Sequence, residues 1–273
     1  YLSTDEVVPI GNILADMTGG VFTDMTYKNF SFSALVDFQK GGSVHSYSNQ
    51  WGKYSGTLAE TAESIRARFN VRVETVAVDI TTLEGQNSVL DVAGTPDILV
   101  NNAGGPPPGM WSDWEKKDFL AALEANMLTP IALIKRVLPS MMEKGWGRVI
   151  NITSQSVKAP IAVLGLSNAA RAGLTGYVAG TARQVAPHGV TINNLLPGVH
   201  ATDRIEYLDS QIAKARSITV QEAAAERAGA IPVGRYGTRQ EFGAACAFLC
   251  SQHASFMVGQ NVLLDGGAIN ATL

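Results

Sequence analysis

The chain has 273 residues, 46% of them hydrophobic and 16% charged, which supports a large core and excludes a disordered chain. A net charge of −3 gives no electrostatic reason to expect nucleic acid or an anionic membrane as partner. No apolar run approaches the roughly 18 residues of a spanning helix, and the N-terminal residues lack the basic-then-apolar pattern of a signal peptide, so a cytoplasmic protein is expected.

Residues 1–56 are crowded with aromatics, among them Phe22, Tyr27, Phe30, Phe32, Phe38, Tyr47, Trp51 and Tyr54. A strand near Val7–Leu14 and a helix near Phe30–Lys40 are expected there. From Thr57 onward, helix and strand patterns alternate. Leu58, Ala62, Ile65 and Phe69 form one helical face. Val71 to Ile80 reads as a strand ending in Asp79, and Asp97 to Asn101 as a short apolar strand breaking into Asn102-Ala103-Gly104. Trp114 to Glu143 is one long helical region interrupted only by Pro130 and Pro139. Gly147–Ile152 is a buried strand, Val163–Val185 a helix, and Val190–Leu195 and Asn261–Leu264 two further strands. Residues 199–231 lack strands and read as a helical lid. Cys246 and Cys250, the only cysteines, share a helix face at i, i+4 and read as small apolar residues. Short β-branched strands separated by helices imply an α/β fold: a doubly wound parallel sheet with helices on both faces, in a single domain over residues 1–273.

Such sheets bind ligands at the carboxyl ends of their strands, and several motifs fall there. Asn101-Asn102-Ala103-Gly104 follows one strand and Asp79 ends another. Ser154 follows Asn151-Ile152-Thr153, Pro197-Gly198 leads through His200 to Thr202, and Asn126 sits in the long helical region. Gly234–Thr238 and Asp265-Gly266-Gly267 come later. In this order, over roughly residues 57–270, the set resembles the short-chain dehydrogenase/reductase superfamily, most closely its 3-oxoacyl-acyl-carrier-protein reductase-like branch. The resemblance implies a Rossmann-like fold and NAD- or NADP-linked interconversion of carbonyl and hydroxyl on a small ketone or 3-oxoacyl substrate. It implies that Asn101, Asn102, Ala103 and Gly104 lie beside the adenine ribose and that Asp79 meets the adenine amino group. By the same resemblance Pro197, Gly198 and Thr202 meet the nicotinamide, and Asn126 supports a proton-relay water. A homo-tetramer or dimer built on the two long helices is implied as well. No metal ligand set is expected.

Two departures separate the chain from that pattern. The family's glycine-rich phosphate turn is reduced to Thr18-Gly19-Gly20, followed by Phe22 and Asp24; Gly19 either contributes to a cofactor site or forms an ordinary turn. Asn49 and Lys53 lie where a cofactor-selecting residue is sought. The second departure is catalytic. Where the family has a tyrosine and a lysine one helical turn apart, this chain has Ser167 and Arg171. An aliphatic hydroxyl is a far weaker acid than a phenol, and arginine stays charged at any useful pH, so Lys158 and His200 become candidates for proton transfer. Arg171 retains the ability to hold ribose hydroxyls and to stabilise anionic charge. Two alternatives follow from these departures: a non-redox lyase resembling the halohydrin dehalogenases, and a catalytically silent ligand-binding subunit.

Overall fold

A computed structural model describes residues 17–27, 30–40, 63, 65–67, 73–76 and 78–271. The chain forms two compact units, Tyr1–Pro96 and Asp97–Leu273.

In the first unit, β1 (Met17–Tyr27) and β2 (Phe30–Lys40) pair antiparallel, with Met17 opposite Lys40 and Tyr27 opposite Phe30. The helix expected at Phe30–Lys40 is therefore a strand. Its sequence explains the error, because Phe30, Phe32, Ala34, Val36 and Phe38 recur every second residue, the period of a strand face. The turn expected at Gly19-Gly20 is not formed either. Both residues lie inside β1, opposite Phe38 and Asp37, within a Val-, Thr- and aromatic-rich run suited to a pleated ladder. The strand expected at Val7–Leu14, and Asn49 and Lys53, lie outside the described residues. Within the expected helix Thr57–Phe69, Glu63 and residues 65–67 are helical. Of the described residues in Val71–Ile80, only Val76 makes a bridge. Asp79 instead organises the start of α1 (Leu83–Ala93). Its Oδ1 accepts from Thr81 N at 2.9 Å and Thr81 Oγ1 at 2.6 Å, and its carbonyl accepts from Thr82 Oγ1 at 2.8 Å. Thr82 then caps the helix by accepting from Gly85 N at 3.0 Å. A Cβ at Gly85 would lie 1.8 Å from the Asp79 carbonyl oxygen, so the turn closes only on a glycine.

The second unit carries a parallel sheet of four strands in spatial order β3 (Ile98–Asn102), β4 (Gly147–Ile152), β5 (Val190–Pro197) and β6 (Asn261–Leu264). Every residue of β4, and all of β5 except its last, is buried, which requires cover on both faces. That cover comes from the intervening helices, giving the expected Rossmann-like arrangement. The long region after Trp114 forms α2 (Lys116–Leu123), one π-helical turn over Glu124–Leu128, and α3 (Thr129–Lys144) with Pro130 in its first turn. The remaining helices are α4 (Gly165–Val185), α5 (Asp203–Arg216), α6 (Val220–Gly229) and α7 (Arg239–Cys250). Leu133, Ile134, Val137 and Met141 of α3 and Leu174 and Val178 of α4 join Val149, Ile150, Ile192 and Leu195 of the sheet in the core.

A cation lies among these buried residues. Arg148 of β4 is 1% exposed. It donates to the carbonyls of Gly147, Gly189 and Ser251 and to Ser255 Oγ, and it stacks on Trp146 with Cζ 4.7 Å from the ring centroid. These bonds fasten β4 to the end of α7. Burial pulls its pKa down from the ordinary arginine value. Cys246 and Cys250 are free and buried; the hydrogen bond between them, and then burial, push the Cys250 thiol up. No helix among the described residues is long and apolar enough to cross a membrane.

Candidate active site

Ser154 leaves the carboxyl end of β4 in extended conformation and caps a short turn over Gln155–Val157, accepting from Ser156 N at 3.1 Å. A hydroxyl that accepts in this way keeps its own proton to donate elsewhere. Ser167, 6% exposed, lies in the first turn of α4, with Arg171 one turn further on the same face. The arginine points inward. Its Nε donates to Ser167 Oγ at 3.2 Å, one terminal nitrogen to the Ile152 carbonyl at 2.8 Å and the other to the Ala103 carbonyl at 3.1 Å. One guanidinium thus ties the ends of β3 and β4 to the helix that carries Ser167. Sequence register alone points to the partnership of Ser154, Ser167 and Arg171, but not to this inward strap.

A row of asparagines crosses the sheet beside it. Asn101 Nδ2 donates to Asn151 Oδ1 at 2.8 Å, Asn151 Nδ2 to Asn194 Oδ1 at 3.1 Å, and Asn194 Nδ2 to Asn261 Oδ1 at 2.8 Å. The four residues are direct partners in the strand register, so one amide from each strand joins a single polarised chain. The chain ends at Asn101 Oδ1, which is buried and unpartnered. Sequence reasoning missed Asn151, Asn194 and Asn261; the signal was an asparagine near the carboxyl end of three expected strands and another opening the fourth.

Asn126 occupies the π-helical turn, a distortion frequent at functional sites. Its Oδ1 is buried without a partner, and the same turn is seated against α4, where a Cβ at Gly173 would lie 2.6 Å from Met127 Sδ. Thr153 Oγ1, Gln155 Oε1, Ser156 Oγ and Asn168 Oδ1 are also buried and unsatisfied. Unpaired buried polar atoms are costly, and their concentration after β3 and β4 and at the start of α4 is what a polar ligand or ordered water would relieve. Pro197 ends β5, and Gly198 N donates to the Leu264 carbonyl at 2.8 Å. A Cβ on Gly198 would approach Asp265 Cα to 2.6 Å and Gln155 Oε1 to 3.0 Å, so a glycine is required where the chain turns. Thr202 stands at the N-cap of α5. Asn102 and Gly104 are exposed, and nothing lies within 4 Å of a Cβ at Gly104.

The two proton-transfer candidates differ in setting. Lys158 is exposed in the turn after Ser154. His200 is buried just before α5, its Nδ1 3.3 Å from the Gly198 carbonyl and its ring edge-on to Phe242 at 5.4 Å. Its backbone bridges to Gly237, where a Cβ would strike the imidazole at 2.5 Å. Asp79 and Gly19 belong to the other unit and are described above. Among the described residues no group of three or more His, Cys, Asp or Glu could hold a metal ion.

These residues fit one end of a nicotinamide dinucleotide. The buried acceptors after β3 and β4, the open backbone at Gly104 and the glycine turn at Gly198 would hold its nicotinamide and ribose.

The comparisons with known proteins agree with the fold. A family model described as Enoyl-(Acyl carrier protein) reductase matches residues 49–269. The NADPH-dependent reductase BacG of Bacillus subtilis is 34% identical over 178 residues, 65% of this chain and 69% of the relative. The 3-oxoacyl-[acyl-carrier-protein] reductase FabG of Vibrio cholerae is 33% identical over 198 residues, 70% of this chain and 76% of the relative. Among solved structures, YwfH, an NADPH-dependent reductase involved in bacilysin biosynthesis, superimposes with a TM-score of 0.73 at 29% identity, covering 79% of this chain and 85% of that one. The L-sorbose reductase of Gluconobacter frateurii, solved with NADPH and L-sorbose, gives 0.74 at 26% identity, covering 78% and 83%. The chain belongs to the short-chain dehydrogenase/reductase superfamily, in its 3-oxoacyl-acyl-carrier-protein reductase-like branch.

Proposed function

We propose that the protein is an NADP- or NAD-linked reductase that interconverts a carbonyl and a hydroxyl on a small ketone or 3-oxoacyl compound, using a serine–arginine pair in place of tyrosine and lysine. The observation that carries this reading is the bond from Arg171 Nε to Ser167 Oγ, with the arginine braced on the Ile152 and Ala103 carbonyls. The relatives' printed names, reductases that include NADPH-dependent ones, support the reaction class. When bound, the nicotinamide supplies the hydride.

The protein's part is to orient the carbonyl and manage charge on its oxygen. Ser154 presents a hydroxyl proton because its lone pair is already engaged by Ser156 N. Ser167 does the same, and the guanidinium on its oxygen makes that hydroxyl a stronger donor. Together they form a two-donor site for a carbonyl oxygen, with positive charge behind one donor. Asn126 Oδ1, buried and unpartnered, would hold the water that renews the proton. The exposed Lys158 ammonium is the nearer candidate for exchange with solvent, since the His200 ring is packed against Phe242.

In the same reading the protein works as a homo-dimer or homo-tetramer in the cytoplasm, on a small-molecule substrate. The outward face of α4 carries exposed Ala169, Ala172, Gly176, Ala179 and Gly180, small enough for a second helix to approach, near exposed Leu120 and Leu128. Two free buried cysteines suit a reducing compartment.

The test is a fluorescence titration with NADPH and NADH, followed by turnover of ethyl acetoacetate. Micromolar binding and measurable reduction are expected, with kcat falling about 100-fold in Ser154→Ala and in Ser167→Ala, the scale of a lost oxyanion donor. Absence of binding by both cofactors, or Ser167→Ala turnover equal to wild type, sinks the reading.

A further inference from the structure

Two loops flank the serines, and they are almost free of charge. From Ala103 to Ser112 the chain reads Ala-Gly-Gly-Pro-Pro-Pro-Gly-Met-Trp-Ser, and from Gln155 to Ala170 the only charged residue is Lys158. The loops are tied together. Gly109 N donates to the Val163 carbonyl at 2.9 Å, immediately before α4. Trp114 fills the angle between them: a Cβ at Gly165 would lie 2.3 Å from its ring, and one at Gly109 would lie 2.9 Å from its Nε1. Gly165 is two residues before Ser167, so this junction sits against the turn that carries the catalytic hydroxyl.

On that frame a tight turn holds two large apolar side chains in the open. Asp113 N donates to the Met110 carbonyl at 3.0 Å, and Met110 N donates back to Asp113 Oδ2 at 2.6 Å. Met110 is 58% exposed, Trp111 84% and Val163 43%. A turn closed by reciprocal hydrogen bonds, behind three consecutive prolines, is not free to fold its tryptophan away. Keeping such side chains in water is unfavourable, and an apolar patch at the mouth of a site marks a binding surface.

We infer that Met110, Trp111 and Val163 form an apolar shelf selecting substrates whose carbonyl bears a bulky uncharged group (aryl, alicyclic or branched alkyl) over short or phosphorylated ones. This rests on the reductase reading of Ser154 and Ser167 and adds the substrate class. Residues 103–112 carry no charge and Lys158 is the one cation of residues 155–170, so these loops offer no cluster of cations for a phosphate, and Lys158 accommodates at most a single carboxylate.

The experiment compares ethyl benzoylacetate with ethyl acetoacetate, which share the reacting 3-oxo ester and differ in the group attached to the ketone. Wild type prefers benzoylacetate in kcat/KM, and the preference falls about tenfold in Trp111→Ala and in Met110→Ser, the scale expected when one large apolar side chain no longer covers the substrate. Phe256→Ser, at a fully exposed aromatic after α7, leaves the preference unchanged. Equal kcat/KM for the two esters in wild type, or a preference untouched by both shelf variants, overturns the shelf. If wild type turns over neither ester with NADPH or NADH, the reductase reading fails, and calorimetric titration with ethyl benzoylacetate decides the shelf separately. Binding that weakens in Trp111→Ala upholds it, and absence of binding to wild type overturns it.

Discussion

Arg171 occupies a position where a lysine would reach outward to a ligand, yet at least three of its N–H groups are turned to protein acceptors. Removing the guanidinium leaves the Ile152 and Ala103 carbonyls and Ser167 Oγ without those donors in a buried setting. Arg171→Met is therefore expected to lower unfolding free energy by about 3 kcal/mol, through the missing charged hydrogen bonds and the unsatisfied carbonyls. Arg171→Lys should lose about half as much, since an ammonium is a point donor that cannot reach three acceptors spread over a planar fork. Urea unfolding of the three proteins checks this; equal midpoints for wild type and Arg171→Met would mean the strap contributes nothing. At this scale the sequence was legible in one respect. The spacing of Ser154, Ser167 and Arg171 could be aligned by resemblance, and α4 brings the last two onto one face. The direction of the guanidinium was not legible, because it depends on which carbonyls the ends of β3 and β4 leave unpaired, a property of tertiary packing.

Between elements, the asparagine chain and the Asp209 clamp set how the site is held. Asn151 and Asn194 are the links whose removal costs most, each fully buried with a donor and an acceptor partner in neighbouring strands. Asn194→Leu is expected to cost about 2–3 kcal/mol by orphaning Asn151 Nδ2 and Asn261 Oδ1. Asn261→Leu should cost less, about 1–2 kcal/mol, because it orphans one amide group, Asn194 Nδ2, rather than two. Unfolding midpoints in the opposite order would break the ladder interpretation.

The helical excursion expected over residues 199–231 is formed by α5 and α6 and is held by Asp209 of α5. This carboxylate is 2% exposed, accepts from the Tyr236 hydroxyl on both oxygens at 3.2 and 3.0 Å, and pairs with Arg227 of α6 at 3.3 Å. Burial first, and then the Asp209 bond, push the Tyr236 phenol up to about 12. Since the folded value lies above the ordinary tyrosine value near 10, the clamp is intact below pH 10 and is lost as the pH rises toward 12. Hydrogen exchange of α5 and α6 should rise across that window in wild type and show no such step in Tyr236→Phe. The lack of strands over residues 199–231 pointed to these helices, but the same reading mistook β2 for a helix. In Phe30–Lys40 a strand's two-residue alternation lay under an aromatic-rich run, and short apolar runs do not separate strand from helix without knowledge of the partner strand.

For the whole molecule, the proposed assembly has a sharp consequence at Gly176. The residue is exposed on α4, and nothing lies within 4 Å of a Cβ built there, so the protomer has room for any side chain. A helix-interior glycine is also a poor helix former, and Gly176→Glu should stabilise an isolated protomer by about 0.5 kcal/mol or leave it unchanged. If α4 packs against a second copy, the same substitution inserts a carboxylate and several carbons where two backbones meet closely. It also places like charges together, since a symmetric interface repeats each residue. The two effects then have opposite signs, which separates an assembly defect from a folding defect. Light scattering after size exclusion is expected to give two or four times the chain mass for wild type and a lower state for Gly176→Glu, with helical circular dichroism preserved. A wild-type monomer, or a variant of unchanged mass, would assign the small exposed face of α4 to some role other than self-association.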